Sequence, residues 1–246
     1  MKKKRWLFGF VFFAVALSIG LAAAQSATDL SLYREETVKT TQYPGGHEMS
    51  TVTKAWIKGQ KMRTDAVRGN DVTIIRADLG MLYTINMVRK VYSEAPLEVF
   101  RRAAKLSLAM MGKDPTYRWT NREKKIGKWK CREVIIAEET SAMGEHFKTV
   151  WWVSEDVGLD NRLFKRIMQV AMGKELDERT AQFFAKLTAI PGYPVRTESS
   201  YSRGGAMVKT VNTLQVMERR DIDDSIFEIP PGLTKVVIPL PGELKK

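Results

Sequence analysis

The chain of 246 residues contains one cysteine and two histidines. No intramolecular disulfide can form from a single thiol. Two histidines and one cysteine at unrelated spacings match no zinc-ligand pattern. There is no glycine loop of the kind that cradles phosphates and no G-x-S-x-G nucleophile elbow. The adjacent acids Glu35–Glu36 and Glu138–Glu139 fall on opposite faces of any strand that carries them, and the acids from Asp221 to Asp224 read as a solvated turn. Internal repeats and low-complexity linkers are missing too. The net charge of +12 is spread along the chain and interrupted by acids, without the dense cationic run of a nucleic-acid arm, so nucleic acid is not an expected partner. Catalytic residues, a metal and a cofactor are therefore not expected. One enzymatic alternative stays open, a thiol enzyme in which the fold brings Cys131 beside His146 in an accessible, electropositive site. Packing is the expected role of Cys131, which shares a strand face with Trp129 and Ile135, because free cysteine is among the most buried residue types.

What is present begins at the N-terminus. M-K-K-K-R precedes an uncharged run from Trp6 to Ala24, which ends in small residues before Gln25. A basic segment, an apolar segment and an A-x-A site predict an export signal over residues 1–24, cleaved between Ala24 and Gln25. The alternative is an uncleaved anchor, since 19 uncharged residues nearly span a bilayer. No cysteine follows the signal, so no lipoprotein acylation is expected. Removing residues 1–24 leaves 222 residues with a net charge of +8, enough for one domain over residues 25–246. The cations Arg101, Arg102, Lys105, Arg122, Lys124, Lys125, Lys128, Lys130, Arg219 and Arg220 serve either solubility or a peripheral contact with anionic lipid headgroups.

From Leu32 to Tyr92, segments rich in Thr, Val, Ile, Tyr and Trp are broken by P-G-G, K-G-Q, R-G-N and D-L-G, which predicts an antiparallel meander. After Pro96, Leu97, Phe100, Ala104, Leu108 and Met111 recur at helical spacing up to Gly112. Strands return from Tyr117 to Val153. A second helical block, from Leu163 to Leu187 and split at Gly173, ends at P-G-Y-P, and two strands close the chain from Val195 to Glu218. The expected class is α+β: a strongly curved, mainly antiparallel sheet, a half-open barrel, covered on one face by about three helices.

The phrases W-I-K-G-Q-K-M-R-T-D (Trp56 to Asp65), I-I-R-A-D-L-G-M-L-Y-T-I-N (Ile74 to Asn86) and K-V-Y (Lys90 to Tyr92) resemble the early strands of LolA-like periplasmic proteins, the outer-membrane lipoprotein-sorting group. G-K-W-K-C (Gly127 to Cys131), G-Y-P-V (Gly192 to Val195) and S-I-F-E-I-P-P-G (Ser225 to Gly232) resemble an uncharacterised branch of it, domain-of-unknown-function family 4412. The resemblance spans most of residues 30–236. It implies a periplasmic location and a cavity between sheet and helical lid that holds lipid or lipoprotein acyl chains. Arg63 is the nearest match by context to a carrier's lid-closing arginine. Cavity-lining candidates are Trp56, Tyr83, Phe100, Leu108, Met111, Trp151, Phe164 and Met168. The thioethers suit a soft lid, and the alternative for the same side chains is plain core filling. The expected function is thus non-enzymatic binding or carriage of a hydrophobic ligand. A protein–protein interaction or sensor module of the envelope, with no bound lipid, is the alternative.

Overall fold

The structure, a computed structural model, describes residues 31–99, 101, 117–140, 146–157 and 178–237. The expected signal with Ala24 and Gln25, and the candidates Phe100, Leu108, Met111, Phe164 and Met168, lie outside these residues.

The first meander is β1 (Ser31–Tyr43), β2 (His47–Lys58), β3 (Lys61–Ala66), β4 (Asp71–Arg76), β5 (Met81–Asn86) and β6 (Val91–Pro96). The second part is β7 (Arg118–Ile126), β8 (Trp129–Thr140), β9 (His146–Ser154), β10 (Tyr193–Arg203) and β11 (Ala206–Arg219), with a short β12 (Thr234–Lys235) at the end. β-branched and aromatic side chains favour these pleated segments, and the expected turns fall between them. All twelve strands form one sheet, ordered β12-β6-β5-β4-β3-β2-β1-β11-β10-β9-β8-β7. Every pairing is antiparallel except β12 on β6. The pairing of β1 with β11, from Leu32 opposite Arg219 to Tyr43 opposite Met207, joins the two halves.

Laid flat at about 4.8 Å per strand, such a sheet would be about 50 Å wide. Sheets beyond about ten strands curl or split. This one is curved and open, with β7 and β12 at its edges. Register shifts at Glu35/Glu36 in β1, Pro194/Arg196 in β10 and Ile135/Ala137 in β8 add local bend, as bulges do.

Side-chain alternation gives the sheet two distinct faces. On the inner face Leu32, Ile57, Met62 and Ile75 join Val134, Trp151, Val153 and Leu214 in one buried apolar cluster. Leu97, Leu187 and Ile190, which follow the strands in helix and turn, pack into the same cluster. On the outer face of the first meander Val72, Ile74 and Ile85 form a second cluster with Ile222 and Phe227, against which Trp56, Tyr83, Tyr92, Ile226 and Leu233 pack.

Helical cover differs from the expectation. Among the described residues two helical elements, rather than about three, are seen from end to end: α1 (Glu178–Thr188) and a 3-10 turn, Asp224–Phe227. Most of the stretches expected to be helical lie outside the described residues. α1 falls within the expected second block, and helical backbone begins at Leu97. Pro96 closes β6, paired with Met81, instead of standing inside the helix.

The outer cover is the C-terminal segment, which straps back across β2 to β6. Asp223 caps its 3-10 turn by accepting from Ser225 N at 2.8 Å. Lys58 Nζ donates to Ile222 O at 2.8 Å, and Lys61 Nζ reaches Asp224 Oδ1 at 3.0 Å. Arg63 Nη1 donates to Ile226 O at 3.1 Å, Arg76 Nη1 bonds Glu228 at 2.7 Å, and β12 completes the strap on β6. These polar contacts fix the register in which Phe227 is buried.

Candidate functional site

The inner face carries an ionic group inside its apolar surroundings. Alternation along L-Y-R-E-E places Leu32, Arg34 and Glu36 on one face of β1 and Tyr33 and Glu35 on the other. Arg34 Nη2 lies 3.3 Å from Glu36 Oε2, and both side chains are almost fully buried. Arg34 also donates to the hydroxyl of Tyr193, a buried residue at the start of β10. Around them the inner face carries buried polar groups: Thr53 opposite Glu36, Thr64, and the pair Asn212 and Thr197, whose side chains bond at 3.2 Å.

Burial raises the Glu36 carboxyl above its usual range, and Arg34 pulls against that rise. Burial works against the charge on Arg34, but Glu36 and Tyr193 outweigh it and hold the guanidinium charged. Burial also pushes the Tyr193 phenol up, so it remains an uncharged acceptor and donor. A buried ion pair of this kind contributes little net stability compared with apolar residues of the same volume. What it supplies is a fixed cation, a carboxyl and a phenol at a set position within an apolar face.

The expected cavity residues divide between the two faces. Trp151 is buried in the inner cluster, opposite Val134 on β8 and Thr197 on β10. Trp56 and Tyr83 belong to the outer cluster: Trp56, Arg63, Ile74 and Tyr83 stand in one cross-strand row under the strap. They are therefore not brought together with Trp151. Arg63 is on that outer row as well, bonded to Asp65 at 2.7 and 2.8 Å, with its guanidinium 5.9 Å from the centre of the Trp56 ring. An arginine that does face the inner cluster is Arg34. Sequence reasoning missed it because Leu32 and Tyr33 are both apolar and both buried, so β1 gives no sign of which face is inner.

Glu35 and Glu36 separate onto opposite faces, Glu35 toward Lys54 and Glu36 toward Arg34. Of the acids from Asp221 to Asp224, Asp223 caps the 3-10 turn and Asp224 sits between Lys58 and Lys61. Cys131 is buried with Trp129 and Val134, and its thiol lies 3.7 Å from Trp129 O. Burial pushes the thiol up to about 11. Its neighbour Arg132 pairs with Val153, while His146 stands at the far end of β9, opposite Thr140. The seven residue steps from His146 to Val153 correspond to about 24 Å of strand. Among the described residues no group of three His, Cys, Asp or Glu side chains could hold a metal ion.

Trp152, on the face opposite Trp151, has Lys124 Nζ 3.6 Å and the Arg122 guanidinium 5.5 Å from its ring centre. Glu198 lies beside it, paired with Arg196 at 2.9 Å and Lys209 at 3.1 Å. Its carboxyl is held below the usual range, because these cations outweigh the opposing effect of burial.

A single open, curved, mainly antiparallel sheet with few helices among the described residues, an ion pair buried on its inner face and a C-terminal strap on its outer one defines the structural class. The chain belongs to the family described as a domain of unknown function, DUF4412, whose pattern matches residues 37–233. No curated protein matches it. Solved structures similar to it include the following three. An uncharacterised conserved protein from Thermus thermophilus is 7% identical, with a TM-score of 0.44 over 94% of this chain and 97% of the other. A DUF1329 family protein from Desulfovibrio piger is 14% identical, with a TM-score of 0.37 over 90% and 96%. A putative outer membrane lipoprotein-sorting protein domain from Vibrio parahaemolyticus is 8% identical, with a TM-score of 0.33 over 90% and 96%.

Proposed function

We propose that this chain is an exported periplasmic protein that acts by binding rather than by catalysis. It holds a hydrophobic ligand, a lipid or the acyl chains of a lipoprotein, between the inner face of its sheet and the helices on that face. The observation that carries this reading is the unequal treatment of the two faces. The outer face of the first meander is closed by the chain's own strap, with Phe227 buried against Ile74 and Ile85. The inner face instead runs as one apolar cluster from Ile75 to Trp151, interrupted by Arg34, Glu36 and Tyr193. Apolar wall and fixed charge together match the two parts of an amphiphile.

Native mass spectrometry and organic extraction of the protein recovered from the periplasm test the reading. A bound lipid or acylated species is expected, and its amount should fall when Arg34 and Glu36 are both replaced by leucine. Protein that is reproducibly empty in its folded, secreted form would sink it.

A further inference from the structure

Exposed apolar side chains collect at one end of the first meander. Antiparallel strands alternate in direction, so the β3–β4 and β5–β6 turns emerge at the same end, and β2–β3 and β4–β5 at the other. The first pair of turns reads V-R-G-N (Val67 to Asn70) and M-V-R-K (Met87 to Lys90). Val67 is 54% exposed, Met87 39%, Val88 68% and the adjoining Met49 of β2 56%. The opposite end has Leu79 alone among such residues in its turns, beside the acidic Asp78.

The turns are fixed by their backbones. Met87 N donates to Asn70 O at 3.0 Å, which ties one tip to the other. Arg68 N donates to Thr51 Oγ1 at 3.0 Å, and Val67 N to Val52 O at 2.9 Å, which ties both to β2. Arg89 N is held by Asn86 Oδ1 at 2.8 Å, and Lys90 O accepts from Thr234 N at 2.9 Å. Asn70 and Lys90 close the two turns with φ of 52° and 53°. The apolar tips are held outward by this framework.

Cations alternate with them: Arg68, Arg89 and Lys90. Arg68 reaches only the carbonyl of Ser50, at 3.4 Å, and Arg89 and Lys90 have no carboxylate partner among the described residues. The exposed carboxylate of Asp71, next to Asn70, accepts from the Asn86 amide at 2.8 Å and keeps its charge, so the cations outnumber it three to one on the two turns. None of the cations singled out from the sequence for a lipid contact belongs to this rim.

From this juxtaposition of outward valine and methionine tips with cations that hold no ion pair among the described residues, on two tied turns, we propose that the rim is a docking surface for an anionic phospholipid bilayer. Aliphatic tips enter the boundary between headgroups and acyl chains, and the cations meet lipid phosphates. Protein interfaces are anchored instead by aromatic side chains in well-packed pockets, whereas the two tied turns carry aliphatic tips only; the exposed Tyr43 belongs to the neighbouring β1–β2 turn at this end. The proposal stands apart from the inner-face ligand, since no residue of the rim belongs to that face's apolar cluster.

The test uses protein expressed from the full chain and mixed phosphatidylethanolamine–phosphatidylglycerol vesicles, with phosphatidylcholine vesicles as the neutral control. Co-sedimentation with the anionic vesicles is expected, weaker at high salt and on the neutral vesicles. Arg89→Glu with Lys90→Glu, and separately Val88→Asp, should each weaken it by about tenfold or more. Lys128→Glu with Lys130→Glu, on the basic hairpin at the opposite end of the sheet, should leave it unchanged. Val88→Trp should shift its emission to the blue on anionic vesicles, which reports the rim itself rather than the N-terminal apolar run common to every variant. Melting curves identify any variant that fails to fold, and the other rim variant then decides. Absent vesicle binding, binding lost only in the Lys128 and Lys130 variant, an unshifted Val88→Trp emission, or capture of a protein partner through the rim without vesicle binding would overturn the proposal.

Discussion

Arg34 and Glu36, two residues apart on β1, form an ion pair 3.3 Å long on the apolar inner face of the sheet. Removing one partner leaves the other charge buried without compensation. Arg34→Leu should therefore cost about 3–5 kcal/mol of stability at neutral pH, whereas Arg34→Leu combined with Glu36→Leu should cost much less. Urea unfolding of the two single variants and the double variant checks this. Equal losses in all three would show that the pair does not act as a unit.

Cys131 gives a prediction with a defined pH window. Burial raises its thiol from 9.0 to about 11. A raised value means that the unfolded chain gives up the proton first as pH rises. The stability that the thiol contributes is then complete below pH 9 and is lost between 9 and about 11. The advantage of the natural chain over Cys131→Ala should shrink across that interval. At neutral pH a thiol reagent should label the native protein far more slowly than the unfolded chain, and rapid native labelling would contradict the burial of this side chain.

The C-terminal strap should be a major stabilising element. Phe227 is 1% exposed, so Phe227→Ala should cost about 3–5 kcal/mol. Arg63→Ala removes the donor to Ile226 O and should cost about 1.5–3 kcal/mol. Hydrogen exchange should show the amides of Ile226, Glu228 and Thr234 opening together in both variants. Unchanged protection there would mean that the strap does not depend on these anchors.

Gly192, in the turn entering β10, has φ +84°, and a Cβ placed on it would lie 2.7 Å from Ser154 O. Gly192→Ala carries the left-handed cost of about 1–2 kcal/mol and a backbone clash that the β9–β10 pairing cannot relieve cheaply. Gly205→Ala, at φ +78° with nothing within 4 Å, carries the backbone cost alone. Thermal melting should rank Gly192→Ala well below Gly205→Ala.

Strand positions were legible in the sequence. Alternating β-branched and aromatic residues between Gly-, Asn- and Asp-rich turns place β1 to β5 within a residue of their positions, because strand pattern and turn chemistry are local properties, whereas β6 runs on past Tyr92 to Pro96. The same alternation separates Glu35 from Glu36 and puts Cys131 on the face of Trp129. Tertiary structure alone decided which face is inner. Trp56 and Tyr83 look like cavity wall in sequence, but a segment more than 130 residues further along the chain covers them, and nothing local in D-I-D-D-S-I-F-E-I-P-P-G says which face it crosses. Arg34 and Glu36 become a buried pair only when β10 brings Tyr193 against them, and the exposed tips at Val67 and Val88 become one rim only when two turns distant in sequence are tied through Asn70 and Met87. Spacing fixes which side chains share a face; long-range pairing fixes what that face meets.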